Sequence, residues 1–160
     1  MINTKAEAEE LIRLAKYPPE GIRGAAFTTR AARYGLIPDK SGFLQSSNEN
    51  TRVVMHVETP QAVNHLDEIL TVQGVDVIFI GPTDLSVSMG YAHDMNHPEV
   101  VETIRQVTEK ALAAGKTVGI MTRGLEELER YKQMGITYLC TSIQTMLFKV
   151  IGEYRAAVPR

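Results

Sequence analysis

The sequence predicts an α/β fold built on a parallel sheet, and three observations predict it. Amphipathic helical stretches alternate with short apolar runs along most of the 160 residues. Those runs are rich in β-branched residues and close on Gly or Pro, the pattern of buried strands. Two of them end on acids: VVMHV (53–57) stops at Glu58 before Thr59-Pro60, and VDVIFIGP (75–82) runs into Thr83-Asp84-Leu85. Strand–helix alternation implies right-handed crossovers and parallel pairing. In such folds the carboxyl rim of the sheet is where chemistry is placed. Two hard carboxylates at that rim suggest a divalent-metal site.

The elements follow in order. Asn3 or Thr4 can cap the first helix, and Thr4 and Glu7 have capping-box spacing. Ala8, Leu11, Ile12 and Ala15 give that helix one apolar stripe. Tyr17-Pro18-Pro19 ends it, because the residue before a proline disfavours helix. Residues 21–27 read as a short strand with close backbone approach at the glycines. Residues 28–36 read as helical, and the polar stretch 38–50 as a loop with at most one helical turn. Then come strand 52–58, helix 60–72, strand 75–80, a loop with a turn around 85–96, helix 98–114, strand 117–122, helix 124–134, strand 137–142 and helix 144–157. The result is a single domain, 1–160, with about five parallel strands. Five strands suit an open doubly wound sheet and fall short of the eight of a closed (β/α)₈ barrel. Periodicity does not separate the two.

Composition narrows the function classes. A formal net charge of -2 gives no electrostatic footprint for a nucleic-acid or anionic-membrane partner. No apolar stretch approaches the roughly 18 residues of a membrane span. The start, MINTKAEAEE, is polar and acidic and does not read as a signal peptide. Cys140, the single cysteine, gives no disulfide framework and fits a reducing compartment, so a cytoplasmic location is expected.

Five strings say more than the periodicity: YPPEGIRG (17–24), VETPQAVNHLDEI (57–69), GVDVIFIGPTDLSVSMGY (74–91), HPEV (97–100) and AAGKTVGIM (113–121). Together they resemble the C-terminal two-thirds of the HpcH/HpaI aldolase family, the class II, metal-dependent pyruvate aldolases. The resemblance implies a partial (β/α)₈ TIM-type barrel whose first three βα units are missing. It implies a divalent metal, Mg²⁺ or Mn²⁺ with other divalent ions allowed, held by Glu58 and Asp84. It places the carboxylate of a pyruvate moiety on the backbone N–H groups of Thr83 and Asp84, and Met121 on the wall of the substrate pocket. The implied activity is a carbon–carbon lyase acting on 4-hydroxy-2-oxo acids to give pyruvate plus an aldehyde, in a homo-oligomer. The alternative is a truncated metal- and 2-oxo-acid-binding remnant or subunit with weak or no turnover. The missing units carry the family's catalytic histidine and an important arginine.

The chain departs from the family in two places. His56 stands where many members have glutamine, and strand alternation turns it to the same face as Glu58. It reads either as a substitute base touching substrate or as a pocket-lining histidine. Near the last strand the chain reads TSIQT where the family often has VGVDT, so Ser142 replaces a glycine and Gln144 an aspartate. Other residues read more plainly. Glu58 and Asp84 have bland readings too, as a surface acid and a helix N-cap. His65 and His93 read as solvated, and His97-Pro98 as a helix start. Arg23 reads as pairing with an acid, and Arg30 and Arg33 as one helix face.

Overall fold

A computed structural model describes residues 1–158, whose four strands make one parallel sheet: β1 (Val54–Val57), β2 (Val77–Ile80), β3 (Thr117–Met121) and β4 (Tyr138–Cys140). Neighbours in the sheet are neighbours in the chain, in the order β1-β2-β3-β4. That progression is the wall of a barrel. A doubly wound sheet reverses its strand order at a switch point, and none occurs here. Eight helices accompany the strands: α1 (Lys5–Ala15), α2 (Lys40–Asn50), α3 (Pro60–Asn64), α4 (Leu66–Leu70), α5 (Pro82–Ser88), α6 (Pro98–Ala113), α7 (Leu125–Gln133) and α8 (Ile143–Ala157).

The core lies between the sheet and its helices. Met55, Val57, Ile78, Ile80, Val118 and Ile120 are buried on that outer side, with Leu66 and Ile69 of α4, Leu85 of α5, and Ile104 and Val107 of α6. Each buried aliphatic side chain contributes about 1.5–3 kcal/mol. A one-residue slip of any strand would turn this set to the wrong side, so the register is firmly specified. On the inner side one level of the sheet carries His56, Phe79, Gly119 and Tyr138, in that register. His56 stacks on Phe79 at 4.8 Å between ring centroids, and Phe79 meets Tyr138 edge-on at 6.2 Å. Gly119 makes that meeting possible: a Cβ there would lie 2.8 Å from both rings.

The segment before β1 departs from expectation. The fifth strand is absent. Residues 21–27 are mostly exposed and lie against the end of α1, with Ile22 N donating to Arg13 O at 2.8 Å and Arg23 N to Lys16 O at 2.9 Å. The expected close approach at Gly21 is real, but the partner is the helix end, where any Cβ would overlap the carbonyls of Arg13 and Lys16. Arg23 covers the ring of Tyr17 at 4.7 Å instead of pairing with an acid. The stretch expected to be a loop is helix α2, capped by Asp39, whose Oδ1 accepts from Gly42 N at 2.9 Å. Its anchor is polar: buried Asn48 accepts from Tyr17 N at 2.7 Å and donates to Tyr17 O at 2.9 Å. Residues Arg30–Gly35 form a 3₁₀ turn with Arg33 and Tyr34 at positive φ, so Arg30 and Arg33 do not share a helix face.

Elsewhere the differences are local. The expected helix 60–72 is broken at His65 into α3 and α4. His65 is half-buried, its Nδ1 2.9 Å from Asn3 O. The loop expected from residue 85 begins after α5. The Thr4–Glu7 capping box of α1 is present, and His97 caps α6 by accepting from Glu99 N at 3.3 Å.

Candidate functional site

Glu58 follows β1 directly, and its side chain leans across the sheet onto the start of α5. A Cβ at Gly81 would lie 2.7 Å from Glu58 Oε2, so the carboxylate occupies the space a side chain at residue 81 would need. Gly81 is also the N-cap of α5, one turn before Asp84. Ser88, at the far end of α5, donates to Glu58 O at 2.9 Å. These two contacts fix the strand end that carries Glu58 against the helix that carries Asp84.

The environments of the two acids differ. The Glu58 side chain is only 13 % exposed, and His56 is its one ion-pair partner among the described residues, with Nδ1 3.4 Å from Oε2. No lysine or arginine pairs with Glu58 among the described residues. Asp84 is exposed and makes no ion pair among the described residues. His56 is 51 % exposed, held by Phe79 on its face and Glu58 at its edge. It shares a face with Glu58, as strand alternation predicts. Among the described residues no three His, Cys, Asp or Glu side chains converge to hold a metal ion. Two carboxylates alone would leave most positions of an oxygen-ligated ion to water and ligand, which suits Mg²⁺ or Mn²⁺.

Thr83 and Asp84 occupy the first turn of α5, where N–H groups have no partner within the helix. Gly81 has no side chain to cap them, and Leu85 N is the first to bond back, to Gly81 O at 2.9 Å. The Thr83 hydroxyl donates to Met95 Sδ at 3.3 Å. Met121, at the end of β3, is 41 % exposed. It lines a cavity of about 20 Å³ with Pro82, Thr83, Met95, Arg123, Glu127 and Tyr131. That volume holds about one water.

Sequence reasoning passes over Arg123 and reads Glu127, within EELERYK (126–132), as solvated helix surface, although the Glu127 side chain is only 18 % exposed and the i, i+4 spacing to Arg123 was a readable signal. Arg123 Nε donates to Glu127 Oε1 at 3.0 Å, and Arg123 N to Glu127 Oε2 at 2.8 Å. The bond to Glu127 raises the Arg123 pKa. Burial pushes Glu127 upward, but the bonds from Arg123 more than offset it and leave the carboxyl below its usual range. Ser88 was equally unmarked, because a serine inside a helix is not a group one searches for. Ser142, which replaces the family's glycine, caps α8 by accepting from Thr145 N at 3.1 Å, and Gln144 is exposed. A second cavity of about 400 Å³ between α7 and α8 is also bordered by Arg123 and contains neither Glu58 nor Asp84.

A family model described as HpcH/HpaI aldolase/citrate lyase matches residues 1–149. The chain is 38% identical to the hydroxypyruvate/pyruvate aldolase of Delftia acidovorans, over 98% of this chain and 59% of that protein. It is 39% identical to a 4-hydroxy-2-oxo-heptane-1,7-dioate aldolase of Escherichia coli, with the same two coverages. The chain thus spans 59% of the length of these curated relatives. Among solved structures it superimposes on an HpcH/HpaI aldolase/citrate lyase family protein from Burkholderia cenocepacia with a TM-score of 0.90 at 28% identity, covering 98% of this chain and 62% of that one. The HpcH/HpaI aldolase of Desulfitobacterium hafniense gives 0.83 at 26% identity, covering 99% and 62%.

Proposed function

Because the chain belongs to the HpcH/HpaI aldolase/citrate lyase family, we propose that its strand ends form a divalent-metal site for 2-oxo acids. The activity is that of a carbon–carbon lyase acting on 4-hydroxy-2-oxo acids to give pyruvate plus an aldehyde. One observation carries the reading: the Glu58 side chain is only 13 % exposed, with no lysine or arginine paired to it among the described residues. A cation bound there supplies the counter-charge that Glu58 lacks, and Asp84, one turn into the adjoining helix, supplies the second carboxylate. The ion, Mg²⁺ or Mn²⁺ or another divalent metal, supplies Lewis-acid chemistry toward a 2-oxo group.

The chain's own residues do the rest. The uncapped N–H groups of Thr83 and Asp84 receive the substrate carboxylate, as donors at a helix start do. Met121 provides the apolar wall. His56 is the imidazole in contact with Glu58, and it can exchange a proton with a hydroxyl placed over the site. Proton transfer by a positioned base is worth about 10²–10⁴-fold.

A second reading, binding of metal and 2-oxo acid without efficient turnover, is favoured by the exposure of His56. A base open to water is poorly placed to be held at a transition state. A homo-oligomer belongs to the proposal as well. Helix α8 has no buried residue and exposes Ile143, Phe148 and Tyr154, a surface that self-association would cover. No helix of the described residues is long and apolar enough to cross a membrane, and a cytoplasmic site of action rests on the single cysteine.

The test is pyruvate release from a 4-hydroxy-2-oxo acid by the purified chain, with and without Mn²⁺. Metal-dependent release that disappears in Glu58→Gln supports the lyase. Metal-dependent binding of pyruvate without release supports the second reading. Neither binding nor release would overturn both.

A further inference from the structure

We propose that His56 is itself a ligand of the ion at Glu58, and that its imidazole tilts the site toward Zn²⁺ over Mg²⁺. The inference rests on the divalent-metal reading above and assigns His56 a role that two carboxylates do not require. His56 and Glu58 stand two residues apart at the end of β1, on one face of the strand. His56 Nδ1 lies 3.4 Å from Glu58 Oε2. That is longer than the roughly 2.7–3.2 Å of an ordinary N–H···O bond. It is the separation of two donors on a single ion. An imidazole nitrogen and a carboxylate oxygen, each about 2.1 Å from a tetrahedral ion, stand about 3.4 Å apart.

Both donors are held in place by groups outside the pair. The imidazole lies against Phe79, with ring centroids 4.8 Å and planes 25° apart. Phe79 in turn meets Tyr138 edge-on over Gly119, where a Cβ would touch both rings. Glu58 Oε2 occupies the space that a Cβ at Gly81 would need, and Ser88 holds the Glu58 backbone oxygen. Among the described residues neither side chain has a hydrogen-bond partner besides the other. The imidazole is half-exposed, so the pair is open to an ion arriving from water. The donor types then set the preference. Imidazole suits Zn²⁺, whereas Mg²⁺ takes oxygen ligands and keeps several waters. His56 therefore adds affinity for Zn²⁺ and little for Mg²⁺. The chemistry follows from the ion: with Nδ1 engaged, the ring keeps its proton on Nε2 and no longer serves as a base. The proton transfer assigned to His56 above belongs to the chain loaded with an oxygen-favouring ion such as Mg²⁺.

Calorimetric titration of Zn²⁺ and of Mg²⁺ into the wild-type chain and His56→Gln tests this. In the variant, Zn²⁺ affinity should fall by on the order of 100-fold, the top of the range for residues that merely orient a ligand. Mg²⁺ affinity should move far less, so the ratio of the two affinities falls. An unchanged ratio overturns the proposal, including the case where both ions weaken equally, because His56 would then act by placing Glu58. Nitrogen NMR of the histidine rings in the wild type needs no variant and serves where His56→Gln does not fold. Saturating Zn²⁺ should shift the Nδ1 signal of His56 and leave its Nε2 protonated. A His56 Nδ1 signal that stays in place at saturation overturns the proposal as well. Failure of both ions to bind the wild type would instead remove the divalent-metal reading, and this inference with it.

Discussion

On the outer face of the sheet, β1, β2 and β3 contribute Met55, Val57, Ile78, Ile80, Val118 and Ile120, all buried against helices. On the inner face the same strands contribute His56, Phe79 and Gly119, and at their ends Glu58 and Met121. Here an imidazole and a methionine are about half-exposed, a glycine leaves a gap that two rings fill, and a carboxylate pairs with no lysine or arginine among the described residues. Alternation along a strand lets adjacent residues serve opposite ends. Val57 is buried in the core, and Glu58, next to it, turns its carboxylate to the start of α5. The contrast teaches that stability and chemistry occupy alternate residues of the same strands, and that they should separate under mutation.

The largest effect should come from the outer face. Ile78→Ala removes a fully buried side chain from the centre of the core. It should lower unfolding free energy by about 2–5 kcal/mol in urea titrations, with metal affinity of the surviving folded chain unchanged. A loss below about 1 kcal/mol would mean the outer face is looser than its burial implies. Gly119→Val, on the inner face, forces a side chain between Phe79 and Tyr138. Overpacking of this kind costs about 1–3 kcal/mol, measured the same way.

Gly81→Ala should reverse the pattern. The new Cβ meets Glu58 Oε2, the movable end of a side chain, so the fold should survive while the carboxylate is displaced. Mn²⁺ affinity should fall by about 10–100-fold, the range for loss of a residue that orients a ligand. Unaltered affinity would place the ion elsewhere.

The smallest expected effect is electrostatic. The Glu127 carboxyl is lowered in the folded protein. A depressed carboxylate adds stability that is present above its unfolded value, about 4.3, and is lost as pH falls through the lower folded value. Because the pair lies near the surface, the contribution is at most about 1 kcal/mol. Glu127→Gln should therefore flatten the fall in stability below about pH 4. An identical pH profile would remove the ion pair from the account.

The outer face was nearly all legible in the sequence, because buried β-branched runs closed by Gly or Pro admit few readings. The same runs locate Glu58 directly after β1, whereas Asp84, expected at a strand end, lies in the first turn of α5. What failed is instructive. Residues 21–27 look apolar enough to be a strand but lie on α1, and nothing local distinguishes a neighbouring strand from a helix end. Helix α2 was hidden by a composition of serine and asparagine, since its anchor is Asn48 bonding to Tyr17 across 31 residues. Arg123 escaped because a cation four residues from a glutamate reads as ordinary helix-surface charge. Its position beside Thr83 exists only after the strands pair.

The central claim is that Glu58 and Asp84 share one divalent ion, and calorimetric titration of Mn²⁺ into the 160-residue chain and two variants tests it most directly. The account predicts one site in the wild type and none in either Glu58→Gln or Asp84→Asn, with both variants still folded by circular dichroism. Binding that persists unchanged in both variants would contradict it.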